Sequence, residues 1–133
     1  MPTWNFPISP VAASRPRVSK FGHAYYTGPY KLFRQDMMQV KDSILGPDHE
    51  ALPLTSLLEV TIDCFVKRPK TTKLLLPKAD VDNYAKSILD QFNDVLWTDD
   101  RQIQTLHVSK NWTENNEQEG YFVLSIEELN AND

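Results

Sequence analysis

Cysteine and long apolar runs are the scarcest features of this 133-residue chain, which holds one cysteine, Cys64, and four glycines. A single cysteine excludes an internal disulfide and any zinc site built from several cysteines, as is common in a reducing compartment. The longest apolar runs, such as Leu74 to Leu76, fall far short of the roughly 18 residues that a transmembrane helix needs. Residues 1–10 have neither the basic start nor the apolar centre of a signal peptide, so we expect a cytoplasmic protein with no membrane partner.

The remaining composition is that of a folded domain. Hydrophobic residues make up 41% and charged residues 24%, near the values of ~45–50% and ~25% that are typical of globular proteins. A chain of this length buries roughly two-thirds of its unfolded surface, enough for a core without metal or disulfide support. We therefore predict one domain over residues 1–133.

Positive and negative charges are divided unevenly along the chain. Residues 1–79 carry 11 Lys/Arg and 6 Asp/Glu, a balance of +5, whereas residues 80–133 carry 3 and 12, a balance of −9. Two clusters account for most of the bases. The first basic segment is Arg15, Arg17 and Lys20, and the second basic segment is Lys67, Arg68, Lys70, Lys73 and Lys78. Basic segments beside an acidic region indicate either a polyanion held near a cation or two solvated loops.

The first half of the chain predicts strand, loop, helix and strand. Alternating apolar residues over 4–8 predict a short strand, and the Ser-, Gly- and Pro-containing residues 10–28 predict an exposed loop. The apolar stripe Phe33, Met37, Val40 and Ile44 predicts a helix that begins after Gly28 and ends at Gly46-Pro47. Unbroken alternation from Leu58 to Val66 predicts the clearest strand.

The second half predicts one helix and two strands. Carboxylates at residues 80–82 suit a helix start, and an apolar stripe extends from Tyr84 to Leu96. Residues 103–108 and 121–126 read as strands joined by a polar turn. The resulting order, β-α-β-α-β-β, predicts an α+β fold with both helices packed on one mixed sheet.

Four carboxylates and a lysine form the strongest chemical constellation. Asp80 and Asp82 lie two residues apart, so they project in a common direction from an extended segment and can share one hard cation. Magnesium prefers such oxygen ligands. Lys86 lies one helical turn after Asp82, and a cation beside a lysine stabilises negative charge on a phosphoryl group in the transition state. Together with Asp99-Asp100, these residues predict a metal site for phosphoryl chemistry.

Each part of this constellation also has a structural alternative. Asp80 and Asp82 could cap and solvate a helix start, and Lys86 could form a surface ion pair with Asp82 or Asp90. A helix that continues to residue 96 would separate Asp82 and Asp100 by about 18 residues, or ~27 Å. The two can meet only if the helix is shorter or if the sheet brings Asp100 back.

Two stretches containing these acids resemble the signature of the RusA-type Holliday junction resolvases. They are Lys-Ala-Asp-Val-Asp-Asn-Tyr-Ala-Lys over 78–86 and Val-Leu-Trp-Thr-Asp-Asp-Arg-Gln-Ile over 95–103. The family pattern is roughly Pro/basic-x-Asp-x-Asp-Asn-x-x-Lys, followed by Asp-Asp-x-Gln-Val. Ser14-Arg-Pro-Arg-Val18, Gly22 and Tyr25-Tyr26 resemble the N-terminal pattern of the phage-type members.

The resemblance implies a structure-selective endodeoxyribonuclease that needs Mg²⁺, with Mn²⁺ as the alternative ion. It implies a homodimer that resolves four-way DNA junctions by paired symmetric cuts, in the cytoplasm of a bacterium or a phage-infected host. By motif, Asp80, Asp82 and Asp100 match the metal-binding catalytic carboxylates and Lys86 matches the catalytic lysine. Asp99 and Asp90 match supporting positions, and the family's implied fold brings the acids together.

The predicted DNA contacts are the bases of the two basic segments: Arg15, Arg17, Lys20, Lys67, Arg68, Lys70, Lys73 and Lys78. Tyr25, Tyr26 and Tyr30 could stack on unpaired bases, since an aromatic ring accepts any base face, or could anchor their loop to the core. Two alternative functions remain open at this point. One is a non-catalytic DNA-binding or regulatory phage protein with the same fold, and the other is a nuclease for other branched DNA.

Overall fold

The computed structural model describes residues 2–46 and 52–129. In chain order its elements are β1 (Thr3–Phe6), β2 (Arg17–Val18), β3 (Ala24–Tyr25), α1 (Gly28–Leu45), β4 (Leu57–Val66), α2 (Val81–Leu89), a 3₁₀ turn (Asp100–Gln102), β5 (Ile103–Trp112) and β6 (Tyr121–Leu129). Four of the strands form one sheet in the order β1-β6-β4-β5, in which β4 is parallel to β5 and antiparallel to β6. The predicted α+β fold with a mixed sheet is confirmed.

One face of this sheet carries the core. Residues at alternate positions of β4, from Leu58 to Cys64, are buried, whereas Glu59 and Asp63 on the opposite face are half-buried. Apolar side chains of both helices belong to the same buried cluster, including Met37 of α1 and Ile88 of α2. Period-2 alternation on a strand is expected when one face is covered and the other meets water. The helices therefore lie on one side of the sheet and leave its second face open.

The predicted loop over residues 10–28 contains a short hairpin, formed by β2 and β3. Ser19 closes it: its backbone N–H donates to the His23 carbonyl oxygen at 2.9 Å, and its Oγ accepts from the His23 N–H at 3.1 Å. Gly22 has a φ of 82°, a left-handed conformation that glycine adopts without steric cost. The hairpin is exposed, as the prediction of a surface loop required.

Helix α1 begins and ends where the sequence predicts. Pro29 occupies its first turn, and Gly46 caps its end with a φ of 78°, while Pro47 lies outside the described residues. Phe33 and Met37 from the predicted stripe are buried. No helix in residues 2–46 or 52–129 is both long enough and apolar enough to cross a membrane.

The predicted extent of α2 is wrong at its C-terminal end. The helix ends at Leu89 rather than near residue 96, and Asp94 has a φ of 62°, which an α-helix cannot accommodate. The Asp94 N–H donates to the Trp97 carbonyl oxygen at 2.7 Å, so the chain folds back on itself. Phe92 and Leu96 are nevertheless fully buried. The helical spacing of the apolar residues therefore predicted correctly which side chains are buried. The backbone there forms a hydrogen-bonded tight turn instead of the predicted last turns of the helix.

Candidate functional site

The N-terminal end of α2 presents Asp80, whose carboxylate takes no part in capping. Asp80 occupies the N-cap position with extended backbone angles, yet its side chain makes no capping hydrogen bond. The side chain is exposed, as is that of Asp82 in the first helical turn. A carboxylate at an N-cap usually accepts from the backbone N–H groups of the first turn. The capping alternative is therefore not realised for Asp80, which leaves its oxygens available to a ligand.

Lys86 lies one turn further along α2 and is also exposed. Across the described ranges, the contacts within 4.0 Å between a basic and an acidic side chain are Lys67 with Glu119 and His107 with Glu59. The proposed surface pair between Lys86 and Asp82 is therefore not formed. An unpaired ammonium one turn from the Asp82 carboxylate can approach a phosphate without first breaking a salt bridge.

Two hydrogen bonds from distant parts of the chain hold this end of α2. The Lys110 Nζ on β5 donates to the Ala79 carbonyl oxygen at 2.7 Å, next to Asp80. The Ala13 N–H donates to the Asn83 carbonyl oxygen at 2.9 Å, next to Asp82. Sequence reasoning missed Lys110. A signal was present, because Lys110 shares the core-side alternation of β5 with Val108, where a lysine is unexpected.

Asp100 lies beyond the other end of α2. Burial raises the pKa of its carboxyl group, and a hydrogen bond and the charge of Asp99 raise it further, followed by the charge of Asp90. A hydrogen bond with the Asn93 side chain acts in the opposite direction. The contacts of Asp100 are thus with residues that follow the helix, and they hold it in a more enclosed environment than Asp80 or Asp82.

The 3₁₀ turn that carries Asp100 is fixed by its neighbours in the motif. Asp99 accepts from the Arg101 N–H at 2.9 Å, and its own N–H donates to the Gln102 side chain at 2.9 Å. The Gln102 Nε2 in turn donates to the carbonyl oxygens of Leu54 and Ser56, both at 2.9 Å. Asp99 therefore caps the turn, and Gln102 ties it to the chain entering β4.

The carboxylates have the donor atoms that a metal ion needs, but they are not arranged closely enough to hold one together. Asp80, Asp82 and Asp100 supply the hard oxygen donors that Mg²⁺ requires. Within the described part of the chain, however, no three His, Cys, Asp or Glu side chains are grouped closely enough to hold an ion. Because α2 has nine residues, its length is roughly 13 Å, about half of the separation that a helix to residue 96 would impose. The early end of α2 brings Asp100 nearer without completing a three-carboxylate cluster.

Both basic segments lead to the N-terminal end of α2. The first begins two residues after Ala13, which bonds to that helix, and the second runs directly into Asp80. All eight predicted DNA-contacting bases are exposed. Lys67 differs from the other bases because its Nζ contacts the Glu119 carboxylate at 2.8 Å. Leu75, between the lysines of the second segment, is 92% exposed.

A groove lies near the opposite end of α2, between the hairpin, α1 and the turn after α2. Its volume is about 950 Å³. The residues lining it include tyrosines, bases and polar groups: Tyr25, Tyr26, Tyr30, Lys31, Arg34, Gln35, Lys41, Asp90 and Asn93. Sequence reasoning named the tyrosines but not Lys31, Arg34 or Lys41 as a group. Their 3- and 7-residue spacing places them on one face of α1.

Cys64 takes no part in this chemistry. Burial raises the pKa of its thiol to about 12, and the neighbouring charge of Asp63 acts in the same direction. The thiol is fully buried in the core, so it stays protonated near neutral pH and behaves as a small apolar residue.

Comparison with known proteins shows the family to which the chain belongs. The family model described as Endodeoxyribonuclease RusA matches residues 7–119, a range that contains both basic segments, α2 and the 3₁₀ turn. The chain is also 31% identical over 118 residues to a Bacillus subtilis (strain 168) protein named "Uncharacterized protein YqaN", an alignment that covers 79% of this chain and 83% of that protein. A match of this extent shows that the chain belongs to the RusA endodeoxyribonuclease family.

Proposed function

We propose that this protein is a Mg²⁺-dependent endonuclease that resolves four-way DNA junctions, with Mn²⁺ as an alternative ion. The observation that carries the proposal is the N-terminal end of α2. There Asp80, Asp82 and Lys86 are exposed, free of the capping and ion-pair contacts that would explain them structurally, and approached by both basic segments. Membership of an endodeoxyribonuclease family supports phosphodiester cleavage as the reaction.

The residues have separate roles in this proposal. Asp80, Asp82 and Asp100 would hold the ion, which when bound favours attack of water on phosphorus and offsets charge. The Lys86 ammonium contacts a non-bridging oxygen of the scissile phosphate and stabilises the negative charge that develops there. The basic segments bind the flanking phosphates and orient the strand over α2.

The proposed active species is a homodimer. Resolving a junction requires two cuts on strands related by a two-fold axis, and one chain carries one set of Asp80, Asp82 and Lys86. A two-fold dimer supplies the second set by symmetry. We therefore propose that the two cuts are symmetric, with one made by each subunit.

A gel with an end-labelled synthetic four-way junction tests the reaction. The expected result is incision at symmetric positions on two opposite strands with Mg²⁺ and none with EDTA. A panel of flaps, forks and linear duplexes run beside it measures structure selectivity. Cutting of flaps or forks in preference to the junction would reassign the substrate, and cutting in EDTA would remove the metal from the proposal.

A mixing experiment on a supercoiled cruciform plasmid tests the dimer. Wild-type protein mixed with an excess of Asp82→Asn protein should give heterodimers that nick one strand, so nicked circles accumulate instead of linear product. Linear product in proportion to the wild-type subunits, without excess nicks, would contradict paired cutting by a dimer. A species of about 15 kDa bound to junction DNA in sedimentation would contradict it independently.

One observation favours a second candidate function, that of a DNA-binding protein without catalysis. In residues 2–46 and 52–129 the three carboxylates do not form a metal-holding group. A protein of this kind would bind the junction with the same basic segments and leave it intact. Tight junction binding with no incision in Mg²⁺ or Mn²⁺ would select this candidate over the nuclease.

A further inference from the structure

The groove beside α1 combines aromatic faces and positive charge in one concavity. Its volume, about 950 Å³, lies within the range of roughly 300–1,000 Å³ that small-molecule sites occupy. One wall is the hairpin with Tyr25, a second is α1, and the third is the turn that contains Asp90 and Asn93. This space is large enough for a single nucleotide and too small for a duplex.

The aromatic side of the groove offers a stacking surface. Tyr25 is 44% exposed, and Tyr26 is half-buried. The Arg34 guanidinium lies over the Tyr26 ring, with its central carbon 4.4 Å from the ring centroid. Tyr30 is buried and meets Tyr26 edge-on at 5.0 Å. Tyr30 therefore anchors the cluster, while Tyr25 and the Tyr26–Arg34 pair present the planar groups on which bases stack.

The charged side of the groove favours an anion. Lys31, Arg34 and Lys41 line it against a single carboxylate, Asp90. The Lys41 Nζ donates to the Gln91 carbonyl oxygen at 3.0 Å and so joins α1 to the turn after α2. Lys31 and Arg34 are exposed and are able to contact phosphate.

We propose that this groove binds one unpaired nucleotide of a branched DNA strand. Its base stacks against Tyr25 and the Tyr26–Arg34 pair, and its phosphates contact Lys31 and Arg34. Asp90 and Asn93, which line the groove, belong to the turn after α2, so the captured nucleotide lies against the segment that leads from α2 to Asp100. The inference relies on the proposed function for its DNA substrate, but it requires neither metal nor cleavage.

Binding of short single strands in EDTA tests the groove without catalysis. The probes are a fluorescein-labelled thymidine hexamer and a hexamer of abasic residues with the same number of phosphates. Because stacking contributes appreciably per base, the wild-type protein should bind the thymidine hexamer about tenfold more tightly than the abasic one. Tyr25→Ala should reduce this ratio to near one, and Tyr25→Phe should preserve it.

Phe21→Ala is the matched control, because Phe21 is an aromatic residue of the same hairpin that is 75% exposed and lies outside the groove. It should leave the ratio unchanged. Photocrosslinking with 5-iodouracil in the hexamer, followed by mass spectrometry, should modify Tyr25 or Tyr26. The proposal would be overturned if the wild type bound both hexamers equally, or if Tyr25→Ala reduced the affinity for both hexamers by the same factor. If the groove proposal fails in this way but the protein cleaves junctions in Mg²⁺, the proposed nuclease function stands. If the hexamers bind as expected but no junction is cleaved, the groove proposal stands and the nuclease function fails.

Discussion

The two ends of α2 differ in how they expose their polar groups. At the N-terminal end, Asp80, Asp82 and Lys86 are exposed, and the contacts that position them are made by backbone atoms of Ala79 and Asn83. At the C-terminal end, Asp100 is half-buried and burial raises the pKa of its carboxyl group, while Asp90 and Asn93 of the turn after α2 line the tyrosine-containing groove.

This difference separates two kinds of site. An exposed cluster whose side chains make few contacts with the rest of the protein is free to take ligands, and it depends on backbone placement for its geometry. A groove lined by aromatic and basic side chains is suited to holding one part of a substrate in a defined position. We infer that Asp80, Asp82 and Lys86 at the N-terminal end take part in the chemistry together with Asp100, and that the groove at the C-terminal end selects the strand that reaches them.

The largest effect is expected for Asp82→Asn at the N-terminal end. The amide keeps the shape of the side chain but removes one charge from the proposed metal ligands, so junction cleavage should fall by more than about 1,000-fold, equivalent to about 4 kcal/mol. Junction binding should persist. Asp94→Asn makes the same chemical change at an exposed position with a positive φ that asparagine tolerates, and it should cleave normally. Single-turnover cleavage rates of the two variants test this prediction. A near-normal rate for Asp82→Asn would show that Asp82 is not a ligand of the metal ion.

Lys110→Met tests whether backbone placement controls the N-terminal end. The change keeps most of the side-chain volume but removes the hydrogen bond to the Ala79 carbonyl oxygen. A displacement of about 1 Å at a reacting group can cost up to about 100-fold in rate, so we expect kcat to fall by 10- to 100-fold with little change in KM.

Lys110→Arg is the conservative control and should recover most of the rate. Thermal unfolding of the three proteins separates positioning from stability. If kcat falls only in proportion to the unfolded fraction, Lys110 has a structural role and does not position Asp80.

Removal of the positive charges of the first basic segment is expected to have a smaller effect, mainly on junction binding. Replacing Arg15, Arg17 and Lys20 with alanine removes up to three phosphate contacts, which should lower the magnitude of the log–log salt slope of junction binding by up to ~2.7. Cleavage at saturating protein should change less than affinity. A titration from low to high salt gives the slope, and an unchanged value would move the DNA contact to the second basic segment.

The smallest effect is expected for a substitution on the buried face of α2, Ser87→Ala, and it concerns the stability of the fold. Ser87 is fully buried, and its Oγ has no hydrogen-bond partner in the described part of the chain. Ser87→Ala removes a buried polar group that makes no bond and improves helix propensity, so the free energy of unfolding should rise by about 0.5–1 kcal/mol. Denaturant unfolding measures the change, and a loss of stability would indicate a hidden partner for this hydroxyl.

Local patterning predicted most of the fold. Alternation from Leu58 to Val66 marked the central strand, and the stripe through Phe33 and Met37 marked α1 with its end at Gly46. The same rule misjudged α2, because Phe92 and Leu96 keep helical spacing while Asp94 turns the backbone back. Spacing reports which side chains are buried, and a tight turn can bury them as well as a helix can.

The chain by itself determined which groups are available for chemistry: the acids and lysine of residues 80–86, the acid pair at 99–100 and the two basic segments. Only the tertiary structure decided how they are used. It freed the Asp80 carboxylate from capping, assigned Asp99 to the 3₁₀ turn, recruited Lys110 to hold Ala79, and assembled the groove from the hairpin, α1 and the turn after α2. These outcomes depend on contacts between residues far apart in the chain, whereas patterning within a short window records only local preference and burial.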